Sequence, residues 1–122
     1  MFWTIGEAAT FLKMKNNQVY YLASEGKLAA ILFGDRWKIA PGDIENYTKQ
    51  LPISGDCQQA IIESLPAIIT VQDLVALFKA DRRTVTDLIY LKDIPAWKAE
   101  KRWNIARCDL MEYCLKASNV WG

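Results

Sequence analysis

The chain has 122 residues, of which 52% are hydrophobic and 24% are charged, a composition typical of a globular protein rather than a disordered one. Fifteen basic and 14 acidic side chains leave a net charge of +1, so the overall charge favours neither a protein that coats polyanions nor an acidic tail. Three cysteines without a C-x-x-C pair, together with the absence of histidine, argue against a disulfide framework and against a structural zinc site.

The N-terminus "MFWTIGEAAT" lacks a basic segment followed by a long apolar stretch, so no secretory signal is predicted. No apolar run in the sequence approaches the roughly 18 residues that a membrane-spanning helix needs. We therefore expect a cytoplasmic protein that has no membrane partner, binds no metal and carries no cofactor.

The first predicted element is a short helix that begins after Thr4. The stretch Thr4-Ile5-Gly6-Glu7 has the spacing of a capping box, in which a hydroxyl and a carboxylate satisfy each other's backbone amides. A second helix follows a brief polar turn, because Val19, Leu22 and Ala23 have the i, i+3, i+4 spacing of one buried face. Gly26 then ends this helix in a conformation that glycine adopts at little cost.

The next predicted element is a β-hairpin whose tight turn is Gly34-Asp35. Trp37 and Ile39 share one face of the second strand, and Arg36 and Lys38 share the opposite face. We expect the tryptophan to support the hairpin from the core and the two cations to project from it. A short closing helix follows.

Residues 51–68 are predicted to be a linker because they contain Pro52, Gly55 and Pro66, although "CQQAIIESL" can form about two helical turns. Beyond the linker the chain repeats itself. A shift of 66 positions aligns residues 4–50 with residues 70–116 without a gap, and 11 of the 47 positions are then identical, where average composition would give about three. The identical pairs are Thr4/Thr70, Lys13/Lys79, Val19/Val85, Leu22/Leu88, Ala30/Ala96, Arg36/Arg102, Trp37/Trp103, Ile39/Ile105, Ala40/Ala106, Asp43/Asp109 and Tyr47/Tyr113.

The second copy differs from the first at two turns. Lys92 replaces Gly26, and a lysine in the same backbone conformation would cost about 1 kcal/mol, so we expect a different helix exit there. The hairpin loop Glu100-Lys101 has no glycine and is expected to be looser. The predicted fold is mainly α with short β-hairpins, arranged as two tandem winged helix-turn-helix units at residues 1–50 and 69–118.

The sequence resembles the excisionase-type members of the MerR-like winged helix-turn-helix superfamily. The stretches that carry the resemblance are "TIGEAATFL", "NNQVYYLASEGKLAA" and "FGDRWKIAPGDIENY", with "TVQDLVALF", "RRTVTDLIYLKDIPAW" and "EKRWNIARCDLMEY" in the second copy. The resemblance implies a small prokaryotic or phage protein that binds double-stranded DNA, either a transcriptional regulator or a recombination accessory factor. It also implies that the second helix enters the major groove and that the hairpin, the wing, contacts the backbone or the minor groove.

The candidate DNA-reading residues lie on the outward face and first turn of each second helix, where recognition helices commonly meet base edges. Asparagine and glutamine can bond adenine in two places, and arginine can bond guanine in the same way. The candidates are Asn16, Asn17, Gln18, Tyr20 and Tyr21 in the first copy and Arg82, Arg83, Thr84, Thr86 and Asp87 in the second. Because the two sets differ, the copies are expected to read different half-sites.

The candidate wing contacts are Arg36 and Lys38 in the first hairpin and Lys101 and Arg102 in the second, which we expect to bind phosphates or the minor groove. Two alternatives remain at this point. The polar faces can be ordinary solvated surface, with Arg83 and Asp87 forming a weak surface ion pair. One or both copies can instead serve a homodimer or another protein partner, which the near-neutral charge favours. No combination of residues predicts an enzyme.

Overall fold

The structure is a computed structural model, and it describes residues 1–120. Within that range the chain forms seven helices and two three-stranded antiparallel sheets. The elements are β1 (Trp3–Thr4), α1 (Ile5–Leu12), α2 (Asn16–Ser24), β2 (Ile31–Phe33), β3 (Arg36–Ile39), α3 (Pro41–Thr48), α4 (Asp56–Glu63), β4 (Ile68–Thr70), α5 (Val71–Phe78), α6 (Arg82–Tyr90), β5 (Trp97–Ala99), β6 (Arg102–Ala106) and α7 (Arg107–Ala117). The order strand, helix, helix, strand, strand, helix therefore occurs twice, on either side of α4.

Both predicted capping boxes are confirmed. The Glu7 amide donates to Thr4 Oγ1 at 3.2 Å, and the Thr4 amide donates to Glu7 Oε1 at 3.0 Å. Thr70 and Asp73 form the same two bonds at 3.2 and 3.0 Å. Since each box satisfies two otherwise unbonded amides, the starts of α1 and α5 follow directly from the sequence.

Each sheet contains a third strand that the sequence interpretation missed. The sheets have the orders β1-β3-β2 and β4-β6-β5, so β1 and β4 flank the two hairpins. Trp3 pairs with Ile39, and Ile69 pairs with Ile105. These strands are two and three residues long, too short for the alternation that predicts a strand. Ile68, which the prediction placed in the linker, belongs to β4.

Two turn predictions are wrong. Lys92 has φ 62°, close to the 72° of Gly26, and the amides of Lys92 and Asp93 bond Ile89 and Leu88 in the same pattern that follows Gly26. The loop Glu100-Lys101 is also tight, because Ala99 pairs with Arg102 directly across it. Three non-glycine residues, Lys92, Glu100 and Lys101, therefore adopt positive φ despite a cost of roughly 1–2 kcal/mol each, and the bonds at these turns are local ones of the helix exit and the hairpin.

Of the two hydrophobic clusters in the described chain, one is formed by the N-terminal half alone, and the other, the shared core, contains residues of both halves. Phe78 of α5 is fully buried and stacks on Phe33 of β2, with ring centroids 4.0 Å apart, and on Phe2, with centroids 4.7 Å apart. Phe2 also donates its amide to the Leu77 carbonyl at 2.8 Å. The N-terminal half therefore supplies two of the three stacked rings at the centre of the C-terminal half.

The C-terminal segment after α7 ties the halves together by hydrogen bonds. Asn119 Nδ2 donates to the carbonyls of Ala23 and Leu28, each at 2.8 Å, and Asn119 Oδ1 accepts from the Ala30 amide at 2.9 Å. Ser118 forms a β-bridge with Ile31. The outer edge of β2 is therefore covered by the C-terminal half.

The segment between the halves packs on both of them. Helix α4 contacts α3 on one side and α7 on the other, and its Ile62 is fully buried in the shared core. The halves are consequently joined by a packed helix in addition to the contacts described above, rather than by an extended tether.

One buried carboxyl lies behind the first helix pair. Asp43 of α3 is 5% exposed, and no described residue donates a hydrogen bond to its Oδ2 atom. Burial raises the pKa of Asp43 to about 7, with a further contribution from Asp56, and the Cys57 thiol beside it acts in the opposite direction. Because the pKa in the folded protein lies above its ordinary value of 3.8, the ionised carboxyl destabilises the fold.

Replacing Asp43 with asparagine is expected to raise the free energy of unfolding by about 1–3 kcal/mol at pH 8 and by a smaller amount at pH 5. The stability that the protonated carboxyl contributes is fully present below its ordinary pKa of 3.8, is lost progressively as the pH rises from there to about 7, and is absent at higher pH. Urea denaturation at both pH values measures the effect. Asp109→Asn, at the equivalent and less buried position of α7, is the matched control. A gain that was equal at the two pH values would contradict the assignment.

Candidate nucleic-acid interface

Helices α1 and α2 form a helix-turn-helix whose second helix has one buried and one exposed side. Val19 and Ala23 are fully buried against α1, where Ala8 and Ala9 leave room for close helix packing. The turn begins at Lys13, which has φ 57°. The polar side of α2 faces solvent along its length, and the predicted contact residues Asn16, Asn17, Gln18, Tyr20 and Tyr21 are all exposed.

The exposed side chains of α2 are not equally available. Gln18 Oε1 accepts the Lys15 amide at 3.1 Å and so completes the start of the helix, which occupies the oxygen that a two-point contact with adenine requires. Lys27 Nζ lies 5.3 Å from the ring centre of Tyr21. The side chains of Asn16 and Asn17 form no hydrogen bond with any part of the chain that the structure describes, so their amides can meet base edges without losing a bond.

A groove of about 910 Å³ lies between α2 and the first hairpin, and the C-terminal half forms part of its wall. The residues that line it include Asn16, Asn17 and Tyr20 of α2, Asp35 to Lys38 of the hairpin, and Lys79, Ala80, Asp81 and Thr84 of the α5–α6 region. Sequence reasoning missed Lys79, although it is one of the identical pairs of the repeat. Its ammonium binds Glu7 Oε2 at 2.5 Å and lowers the pKa of that carboxyl.

Of the two predicted cations on the first hairpin, only Arg36 reaches solvent. Lys38 is 5% exposed, and its Nζ donates to the Lys79 carbonyl at 3.3 Å. Burial, followed by the nearby charge of Arg36, lowers the pKa of Lys38. The prediction that Lys38 projects to meet DNA is therefore wrong. Lys38 does lie on the face of β3 opposite Trp37, as the alternation along the strand predicts, but the C-terminal half covers that face.

Thr84 of α6 also packs against the first hairpin. It is half-buried, and its methyl group faces the turn of the first hairpin, where a Cβ added to Gly34 would lie 2.7 Å from Thr84 Cγ2. The Gly34 amide donates to the Tyr113 hydroxyl at 3.2 Å, and that hydroxyl donates to the Leu32 carbonyl. The first hairpin is thus held between α6 and α7.

Replacing Gly34 with alanine is expected to cost about 2–4 kcal/mol of stability, since it adds strain at φ 66° to a clash with Thr84. Gly26→Ala is the control: its φ is 72°, but no described heavy atom lies within 4 Å of the added Cβ, so only about 1–2 kcal/mol should be lost. Thr84→Ser in the Gly34→Ala background removes the clashing methyl group and should recover the difference in thermal denaturation. Equal losses in the two alanine variants, without rescue by serine, would refute this packing.

Helix α6 presents a charged face. Arg82, Arg83 and Asp87 are exposed, with Arg83 Nε 3.9 Å from Asp87 Oδ2. At 91% and 58% side-chain exposure, this pair contributes little to stability. The Thr86 hydroxyl donates to the carbonyls of Arg82 and Arg83. Its oxygen can therefore still accept a hydrogen bond from DNA, but its proton is already used.

The second hairpin is exposed where the first is enclosed. All three residues of β5 are exposed, as are the predicted contact residues Lys101 and Arg102. Trp103 is partly buried against the shared core, and the Tyr90 ring meets it edge-on with centroids 6.0 Å apart. The second hairpin therefore keeps both predicted cations available.

Residues 4–52 match a family profile described as a helix-turn-helix domain. The match covers α1, α2, the first hairpin and α3, so the N-terminal half of the chain is similar to a helix-turn-helix domain. Domains of this class place their second helix in the major groove of DNA, and DNA is the partner that the match suggests. No curated protein and no solved structure matches the chain.

Two further properties concern the described residues as a whole. Among them, no helix combines the length and the apolar character that crossing a membrane requires. Nor do residues 1–120 bring three or more histidine, cysteine, aspartate or glutamate side chains together in a group that could hold a metal ion.

Proposed function

We propose that the chain binds specific sites in double-stranded DNA, without enzymatic activity, as a transcriptional regulator or an excisionase-type recombination accessory factor. In this proposal the two halves are tandem winged helix-turn-helix units of the MerR-like kind, α2 and α6 are recognition helices, and the hairpins are wings. One observation carries the proposal: the region that matches a helix-turn-helix domain contains an α2 whose polar side is exposed along its length.

The two units would contribute different contacts. Asn16 and Asn17 on α2 suit adenine, whereas Arg82 and Arg83 at the start of α6 suit guanine or phosphate. The first wing would add Arg36, and the second would add Lys101 and Arg102. Because the units share a core, the spacing between their DNA contacts would be fixed. Once one unit is bound, the other would bind the same DNA molecule in an intramolecular step.

Replacing Arg36 with alanine tests the role of the first wing. If Arg36 binds a phosphate, affinity for duplex DNA should fall by about tenfold, and the slope of log affinity against log salt should decrease in magnitude by about 1. Lys49→Ala is the charge-matched control, since Lys49 is exposed directly after α3 and pairs only with Glu45 among the described acids. Fluorescence anisotropy with a labelled duplex over a salt series measures both quantities. If the salt slope decreased equally in the two variants, the effect of Arg36→Ala would come from the change in net charge and not from a phosphate contact.

A second candidate function is protein contact by the C-terminal half, either in a homodimer or with another partner. It is favoured by large apolar side chains that are exposed next to the second hairpin: Tyr90, Leu91 and Trp97 are 68%, 71% and 42% exposed. In that case the N-terminal half alone would read DNA. Removal of the two α6 arginines, Arg82 and Arg83, separates the two candidate functions.

A further inference from the structure

The outer edge of the second hairpin is open, whereas the equivalent edge of the first hairpin is covered. The two hairpins have the same register, since the pair Ile31 and Lys38 corresponds to the pair Trp97 and Asn104. Strand β5 lies at the edge of its sheet, and all three of its residues are exposed. Two of the three residues of β2 are buried, and Ser118 forms a bridge with this strand.

A single asparagine holds the covering segment on the first hairpin. Asn119 Nδ2 donates to the carbonyls of Ala23 and Leu28. Asn119 Oδ1 accepts from the Ala30 amide at 2.9 Å, and the Asn119 amide donates to the Ala30 carbonyl at 3.0 Å. Ser118 before it is extended, with φ −76° and ψ 141°. The first hairpin edge thus binds an extended segment through four hydrogen bonds to one asparagine.

The second copy contains the same four backbone groups, which are the carbonyls of Ile89 and Ile94 and the amide and carbonyl of Ala96. The Ile94 amide donates to the Leu88 carbonyl at 3.3 Å, in the pattern that also positions Leu28. The shared register directs both backbone groups of Ala96 outward. Among the described residues, no hydrogen bond reaches the Ile94 carbonyl or the Ala96 amide. The second hairpin therefore repeats the binding site without its occupant.

The apolar surface at this edge also lacks its cover. Trp97 is 42% exposed, whereas Ile31 at the equivalent position is fully buried in the shared core. The residue of the first copy that corresponds to Asn119 is Ile53, whose side chain can neither donate nor accept a hydrogen bond. The end of α3 in a second copy of this chain is therefore unsuited to the site, and Asn119 of a second copy is already bound within its own chain.

We propose that the open edge of β5 binds an extended segment of another protein that carries an asparagine. The asparagine bonds the carbonyls of Ile89 and Ile94 and both backbone groups of Ala96, and the partner covers Trp97, as in the addition of a strand to a sheet edge. This proposal rests on the second candidate function, protein contact by the C-terminal half, and gives the partner its chemistry.

An occupied edge is compatible with DNA binding by the same hairpin. Arg36 at the end of the first hairpin is exposed although that hairpin is covered. Lys101 and Arg102 at the end of the second hairpin would likewise stay exposed when a partner is bound along β5.

The test uses the hexapeptide LKASNV, which is the chain's own segment from Leu115 to Val120, added to the uniformly ¹⁵N-labelled 122-residue chain. Saturable amide shifts confined to residues 89–99 are expected, with a dissociation constant of about 1 mM. At about ten times that concentration, hydrogen exchange of the Ala96 amide should slow about tenfold. The Ala30 amide, which already donates to Asn119, should be protected without peptide and is the internal reference.

Altered peptides and variants separate the proposed bonds from general stickiness. A peptide with aspartate in place of its asparagine cannot donate to the two carbonyls, and it should bind at least about tenfold more weakly. Ala96→Pro removes the edge amide and should weaken binding of LKASNV to a similar degree, and proline is tolerated on edge strands. Lys101→Ala, at the turn of the same hairpin, is the matched control and should leave binding unchanged.

Equal binding of the aspartate peptide, unchanged exchange of the Ala96 amide, or shifts at residues 23–31 in place of 89–99 would each overturn the proposed site. The aspartate peptide gives the answer even if Ala96→Pro fails to fold. Shifts of residues 89–99 when the chain is diluted without peptide would make a second copy the occupant and would overturn binding of another protein. Because the titration contains no DNA, its failure is distinguishable from a failure of DNA recognition, and the variants of Arg82 and Arg83 test protein contact separately.

Discussion

Replacing Phe78 with alanine is expected to lower the free energy of unfolding by about 3–5 kcal/mol. Phe78 is fully buried, and both of its faces are stacked on rings from the other half of the chain, Phe2 and Phe33. A protein of this size has a total stability of about 5–15 kcal/mol, so the variant should lose a large fraction of its stability. Chemical denaturation followed by circular dichroism measures the loss.

Hydrogen exchange in the same variant shows whether the halves unfold together. Because Phe78 joins them, amide protection should fall in α2 of the N-terminal half as well as in α6 of the C-terminal half. Phe11→Ala is the matched control, since Phe11 is 58% exposed and its loss should cost at most about 1 kcal/mol. Protection lost in α6 but retained in α2 would mean that the halves are independent domains.

Removing both α6 arginines, Arg82 and Arg83, is expected to reduce affinity for the specific DNA site by about 2–4 kcal/mol, on the order of 30- to 1,000-fold. We expect these side chains to contact bases or phosphates, and Arg83 is held only by a weak surface pair with Asp87. The salt slope should decrease in magnitude by up to about 2, depending on how many of the two bind phosphate. Anisotropy titrations between low and moderate salt provide both values.

The control is Lys49→Ala combined with Lys116→Ala. Both lysines are exposed, and each pairs with a glutamate four residues earlier, on α3 and α7, so the double variant removes the same net charge from other surfaces. Its affinity should be nearly that of the unaltered protein. If the arginine variant behaved like this control, α6 would have no DNA role, and protein contact by the C-terminal half would be the better candidate.

Local signals in the sequence predicted much of the fold. The capping boxes at Thr4 and Thr70 mark the starts of α1 and α5 because their bonds form between residues three apart. The buried faces of α2 and α6 follow from helical spacing, and the hairpins follow from alternation around a two-residue turn. These features depend on neighbours in the chain, so a single sequence contains them.

The features that were missed or wrong depend on contacts between the two halves. Lys38 alternates correctly with Trp37, yet it is buried because α5 and its following turn cover that face. Thr84 lies in the first turn of α6 as expected, and its contact with Gly34 of the other half was not predicted. Residues 66 positions apart in the alignment give no indication of how the copies pack on each other, so the sequence could not predict which wing is enclosed.

The central claim is that the chain recognises particular DNA sequences, and selection of bound oligonucleotides from a random duplex pool tests it most directly. The 122-residue chain should enrich two different short motifs at one fixed separation, because two unlike reading faces are held on a shared core. A pool that remained unenriched after repeated rounds, with binding that disappeared at moderate salt, would contradict sequence-specific recognition.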